Sequence, residues 1–233
     1  MRLTLFTLLL FVLVFRGIPS LYAQGQGGDR RPDYKRIRQL TSDPASPMFY
    51  SRLFMRYIND DTTLTQQEFH LLYYGYFFRD EYDVYSSVGY KDSIKSLGRK
   101  EDMTMAEGKK MISFAKRDLK FTPFDLNDLN WLGNLYYAMG DIDNCALYKY
   151  KAKMVAATIL SSGDGRTDST GYHVLSVGDE YNIVSHLGLV YKAYRTNAEK
   201  KYDYITVDGN SRGISGVYFD VSKLLEDDAK RSK

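Results

Sequence analysis

The residues with the clearest chemical capacity stand in one short stretch, His173-Val-Leu-Ser-Val-Gly-Asp-Glu-Tyr181, with His186 just beyond it. An imidazole beside two carboxylates is the equipment of general acid–base chemistry, so His173, Asp179 and Glu180 are the candidate catalytic residues of a hydrolase. The spacing restrains that reading. Zinc ligands on a helix follow His-x-x-x-His or His-Glu-x-x-His, and neither pattern occurs. His186 follows Glu180 by six residues, about 240° around a helix, so those two side chains diverge. His173 falls on a strand and meets the carboxylates only through tertiary packing. The plainer expectation is a structural histidine and a helix N-terminus with its usual acidic charge.

Three other groups of residues could carry function. Ser161-Ser-Gly-Asp-Gly165 could cradle an anion on successive backbone N–H groups. A phosphate loop, however, needs Gly-Lys-Ser/Thr opening a helix, whereas these glycines close one, where the dipole has the wrong sign. A glycine cap followed by a turn is the better reading. Gly213-Ile-Ser-Gly216 is one residue short of a nucleophile elbow and enters a strand rather than a helix. Tyr73, Tyr74, Tyr76, Tyr82 and Tyr85, with Phe77 and Phe78, are too many rings for one core face. Some should therefore form a surface or groove of rigid, amphipathic contact area. No motif calls for a cofactor or a metal, and none is expected.

The elements that must position these residues are mostly helical at first. A short helix is expected over 33–40, then one capped by Ser46 with Pro47 in its first turn. Thr65-x-x-Glu68 and Thr104-x-x-Glu107 are capping boxes, and Leu64 with Phe69 can form a hydrophobic staple. A helix over 125–139 should end on Gly140, and Asp141 should begin another to about 160. That last helix turns Ile142, Cys145, Tyr148, Ala152, Val155 and Ile159 inward. After Tyr172 the period changes. A strand is expected from His173 to Val177, then a helix over 179–194 with Ile183, Leu187, Val190, Tyr191 and Tyr194 on one stripe. Two strands, 202–207 and 216–221, should pair through the loop Asp208-Gly-Asn-Ser-Arg-Gly213.

The chain has 233 residues and a formal net charge of +3. An apolar run from Leu3 to Phe15 follows Arg2, with a cleavage point after Ala23. The run is shorter than the roughly 20 residues that span a bilayer, so it reads as a signal peptide over 1–23. Arg2 and Arg16 leave with it, and the near-neutral remainder is a weak candidate for nucleic acid, its basic arm Arg30, Arg31, Lys35, Arg36 and Arg38 reading as a solvated terminus. No later apolar run is long enough for a membrane span. The single cysteine, Cys145, precludes an internal disulfide and suits a buried packing site.

Leu132-Gly133-x-x-Tyr136-x-x-x-Gly140, with Ala152, resembles a degenerate tetratricopeptide hairpin. A wider set of motifs resembles domain-of-unknown-function family 4919. They are Asp61-Thr-Thr-Leu-Thr65, Leu72-Tyr-Tyr-Gly-Tyr76, Ile159-Leu-Ser-Ser-Gly-Asp-Gly165, His173-Val-Leu-Ser-Val177 with Glu180-Tyr181, and Gly216-Val-Tyr-Phe-Asp-Val-Ser222. That resemblance spans about residues 33 to 226. It implies a shared fold and an exported protein of the kind found mainly in Bacteroidetes, but no activity.

The expected fold is α+β: a flexible lead-in over 24–32, then a single domain over 33–226. Its helical hairpins cover about 33–162 and a small β-α-β-β unit about 163–226, before a charged tail over 227–233. The expected function is a non-enzymatic binding module of the bacterial envelope, its partner a protein, peptide or glycan. The alternative is the hydrolase at His173, Asp179 and Glu180.

Overall fold

The computed structural model describes residues 31–83 and 104–232. The expected signal peptide over 1–23, most of the expected lead-in and Tyr85 lie outside the described residues. Among those described, the chain forms eight helices and one four-stranded sheet. The class is α+β, with helices α1 (Tyr34–Ser42), α2 (Tyr50–Ile58), α3 (Gln66–Tyr76), α4 (Met105–Asp118), α5 (Leu126–Ala138) and α6 (Ile142–Leu160) ahead of the sheet.

Local chemistry explains most of the helix starts. In α3 the Thr65 hydroxyl accepts from Glu68 N at 3.2 Å, and Glu68 Oε2 accepts from Thr65 N at 2.7 Å. The same reciprocal pair joins Thr104 and Glu107 at the start of α4, so two otherwise unsatisfied N–H groups are capped in each helix. Leu64 and Phe69 are both buried at the staple positions. Asp125 and Asp141 cap α5 and α6. Between those two helices Gly140 adopts φ +76°, the left-handed turn that closes the hairpin. Gly133 lets the pair approach: a Cβ there would lie 2.9 Å from Lys149 Cγ.

Two helix expectations change. Ser46 does not cap α2. Its hydroxyl accepts from Met48 N and its carbonyl from Phe49 N, closing a separate turn. Phe49 then takes an extended ψ of 129°, and the helix begins at Tyr50, whose ring is buried. Ile142, expected inward, is exposed because it opens α6 just after the turn.

The sheet comprises β1 (Tyr172–His173), β2 (Tyr191–Asn197), β3 (Tyr202–Val207) and β4 (Gly216–Asp220), in the order β1-β4-β3-β2. β1 runs parallel to β4, while β3 is antiparallel to both β4 and β2. Helix α7 (Val177–His186) joins β1 to β2, and α8 (Ser222–Arg231) follows β4. The first strand is shorter than its alternation suggests: Val174 N still reaches Asp220 O, but Ser176 already caps α7. Helix α7 is shorter too. Gly188, at φ +66°, ends it, and Tyr191 to Asn197 form a strand instead of another helical turn. β2 is the outer edge strand, with all residues but Asn197 exposed, so no alternation of burial marks it in the sequence.

β3 and β4 turn Ile205, Val207, Val217 and Phe219 inward. These join residues from Ile37 to Leu224 in one continuous hydrophobic core shared by the helical and β parts. Among the described residues no helix is long and apolar enough to cross a membrane.

Candidate functional site

The Ser161–Gly165 run is the hinge between the two parts. Ser162 is fully buried; its hydroxyl donates to Ile159 O at 2.6 Å and accepts from His173 N at 2.8 Å. One side chain thus ties the end of α6 to β1. The N–H groups of Asp164 and Gly165 both donate to Thr170 O at 2.9 Å, so the loop closes on itself and these two donors are already used.

Helix α3 decides where the tyrosines go. Its first turn is exposed at Gln66 and Gln67, but its second half is buried all round, with Leu71, Leu72, Tyr73, Tyr74 and Gly75 in succession away from solvent. A helix covered on every side has no outer face, so consecutive tyrosines can all be core residues. Tyr73 and Tyr74, about 100° apart around the helix, reach different neighbours. The Tyr73 hydroxyl donates to Asp179 Oδ2 at 2.6 Å and accepts from Leu175 N at 2.9 Å. That of Tyr74 donates to His173 O at 3.2 Å. Tyr82 is buried as well and donates to Leu175 O at 2.8 Å. Tyr76 is half-buried and donates to Phe121 O at 2.7 Å. These residues are the packing that fixes the 173–179 segment, not an exposed tyrosine surface.

A cavity of about 150 Å³ remains where they converge. Tyr73 and Tyr76 of α3, Tyr82, and Phe124 before α5 provide its rings, while Asp83, Asp125, Ser176 and Asp179 provide polar groups. Asp179 is 3% exposed. Burial pushes its carboxyl up to about 7 and the nearby charge of Asp125 pushes the same way, while the Tyr73 and Ser176 hydrogen bonds pull it down. Sequence reasoning missed Asp125 and Phe124 as neighbours of this site. Asp125 announces itself locally only as a helix cap.

The three candidate catalytic residues go to three different partners. Asp179 is held by Tyr73. Glu180, 1% exposed, lies against the buried carboxyl of Asp203 on β3; its own burial and that neighbour push it up to about 9. Glu180 therefore keeps its proton more readily than an exposed carboxyl would. His173 points toward β4, with Nε2 3.5 Å from Asp220 Oδ2. His186 is exposed in the last turn of α7. Among the described residues no group of three or more His, Cys, Asp or Glu side chains is placed to hold a metal ion.

Comparison with curated proteins and with solved structures gives no match. The family model described as "Domain of unknown function (DUF4919)" matches residues 35–230, from the start of α1 to the end of α8, and the chain belongs to that family.

Proposed function

We propose that this protein is an exported binding module of the bacterial envelope that seats a small chemical group of a protein, peptide or glycan partner in the cavity beside Tyr73. The export reading rests on the signal-like segment before Gln24. The binding reading rests on one observation: a cavity between α3 and the starts of α5 and α7, walled by four rings and edged by carboxyl groups. Ligand sites take this form, mostly apolar walls with a few fixed polar groups. Its volume of about 150 Å³ equals that of an apolar cavity that holds a benzene-sized molecule. The test is a fragment screen read by backbone amide shifts. The reading expects at least one chemical class to move the amides of Leu175 to Asp179, and Phe124→Trp, which fills the space, to abolish the response. Absence of any response across neutral, anionic and cationic fragments would remove the proposal.

A second reading, a hydrolase, draws on Asp179 alone. A carboxyl group that keeps its proton to about pH 7 at a cavity wall has the character of a general acid. Hydrolysis of an envelope-derived substrate that disappears in Asp179→Asn would favour it over the binding module.

A further inference from the structure

We propose that β2 is a docking edge that takes an extended polypeptide segment as a fifth strand, one in which acidic and apolar residues alternate. None of its residues lines the cavity beside Tyr73, so this site does not depend on that one.

The first support is the free backbone. Among the described residues no strand pairs with the outer side of β2, and Tyr191 to Thr196 are all exposed. The opposite edge, β1, offers only two residues, both buried. Lys192 is the extra residue of a bulge, so Ala193 to Asn197 form the regular stretch, about 17 Å long. Alternate N–H and C=O groups along such an edge point away from the sheet and can pair with a further strand.

The second support is what each face of that strand would meet. Tyr191 and Tyr194 stand opposite Val207 and Ile205, on the face turned toward the core, yet they remain 43% and 56% exposed. Tyr181 of α7 extends the same surface, its ring centre 5.2 Å from that of Tyr191. These rings form a shelf alongside the edge that suits the apolar residues of an added strand. Arg195 stands opposite Tyr204 on the other face, its guanidinium 5.7 Å from the centre of that ring. Neither Arg195 nor Lys192 has an acidic partner among the described residues. Acidic residues at the alternate positions of the incoming strand supply one.

The same charges choose between occupants. Two copies of β2 paired edge to edge would bring Lys192 and Arg195 of each copy together with no carboxylate among them. Cations on an exposed edge oppose such self-pairing and favour a strand of opposite charge.

The test uses three blocked heptapeptides: Thr-Val-Glu-Val-Glu-Val-Thr, its lysine counterpart Thr-Val-Lys-Val-Lys-Val-Thr, and Thr-Val-Glu-Pro-Glu-Val-Thr, in which proline interrupts strand pairing. Hydrogen exchange of the Ala193 to Asn197 amides and amide-shift titrations are the readouts. The glutamate peptide should slow exchange along β2 and bind about tenfold more tightly than either of the others. Arg195→Glu should reverse the preference, so that the lysine peptide binds about tenfold the tighter. Tyr194→Thr keeps a strand-forming residue and should weaken the glutamate peptide about fivefold. Both positions are exposed, and unfolding midpoints matching the parent verify that the fold is intact. Equal binding of the glutamate and lysine peptides would overturn the proposal. So would proline-peptide binding as tight as its parent's, or protection that falls away from β2. A dimer of the protein alone that Tyr194→Lys disperses would show the edge filled by a second copy, which also overturns it. Silence from all three peptides would leave the cations as guards against self-pairing and nothing more.

Discussion

Tyr73 and Asp179 share a 2.6 Å hydrogen bond in the interior while the same hydroxyl accepts from Leu175 N, so one phenol orders both sides of the turn that opens α7. Tyr73→Phe removes the acceptor from a buried N–H and the donor from a buried carboxyl. The expected loss is about 1–3 kcal/mol, the cost of leaving such groups unsatisfied. The Asp179 carboxyl should also rise above its value of about 7, because the lost bond was one of those holding it down. Urea unfolding and a carboxyl-carbon titration measure the two effects. Tyr76→Phe, at a half-buried position, should cost less. Equal costs for the two variants would deny Tyr73 its special place.

Stability should fall as pH rises through neutrality. Asp179 at about 7 and Glu180 at about 9 both lie above the ordinary carboxyl value, so the native state binds more protons than the unfolded chain in between. Their contribution is fully present only below about pH 4, and above it each group can take away up to about 1.4 kcal/mol per pH unit until its folded value is reached. Asp61 is shifted the other way, to about 2, by Thr63 and Arg56, so its effect lies below this window. Glu180→Gln should flatten the decline between about pH 5 and 9 and be more stable than the parent on the alkaline side. An unchanged slope in denaturant titrations across that range would show that Glu180 is not the group responsible.

Much of this fold is legible where the determining contacts are local. The capping boxes at Thr65 and Thr104 and the left-handed Gly140 depend on neighbours within a few residues, while the buried Cys145 and the β3–β4 hairpin follow from a helical stripe and from alternation. β2 is hidden for a physical reason. An exposed edge strand needs no alternation, and Ile183, Leu187, Val190, Tyr191 and Tyr194 happen to fit a helical stripe. Gly188 is the contrary signal. The site is half legible. Asp179 stands out as an acidic residue at a helix start, but its neighbours Tyr73, Phe124 and Asp125 arrive by packing across the chain. Tyr73 and Tyr74 both lie in the core because the second half of α3, Leu71 to Gly75, is buried on every side, a placement that a pattern with one buried face does not announce.

The two glycines that bracket α6 separate crowding from backbone strain. At Gly163 an added Cβ would sit 2.4 Å from Thr170 O and 2.6 Å from Gly171 O, both main-chain atoms of the returning loop. At Gly140 φ is +76° but nothing lies within 4 Å. Gly140→Ala should therefore cost about 1–2 kcal/mol, the left-handed penalty alone. Gly163→Ala must move the 163–171 loop and with it the tie from Ser162 to His173, so its cost should exceed about 3 kcal/mol. Thermal unfolding of both variants, with the His173 amide as a local probe, decides the matter. A smaller loss at Gly163 would mean that the loop adjusts freely.

Lys151 and Asp60 should respond unequally to removal of either partner. Lys151 Nζ lies 2.5 Å from Asp60 Oδ1 and 4.6 Å from the centre of the Tyr57 ring. The lysine side chain is only 9% exposed, the aspartate side chain 51%. Lys151→Met keeps the stem and leaves a carboxylate that water can reach, so the loss should be about 1–2 kcal/mol, below that for a fully buried pair. Asp60 has φ +62°, so Asp60→Gly relieves about 1 kcal/mol of backbone strain. It also leaves an ammonium group enclosed without its counter-ion, a loss of about 3 kcal/mol or more. The net cost of Asp60→Gly should therefore be the larger, although glycine suits that backbone better. In the double variant the strain relief remains and the stranded charge is gone, so stability should return to that of Lys151→Met or above it. Urea unfolding of the three variants completes the cycle. If Asp60→Gly proves the milder change, the ring faces of Tyr57 and Tyr148, and not the carboxylate, hold the ammonium in place.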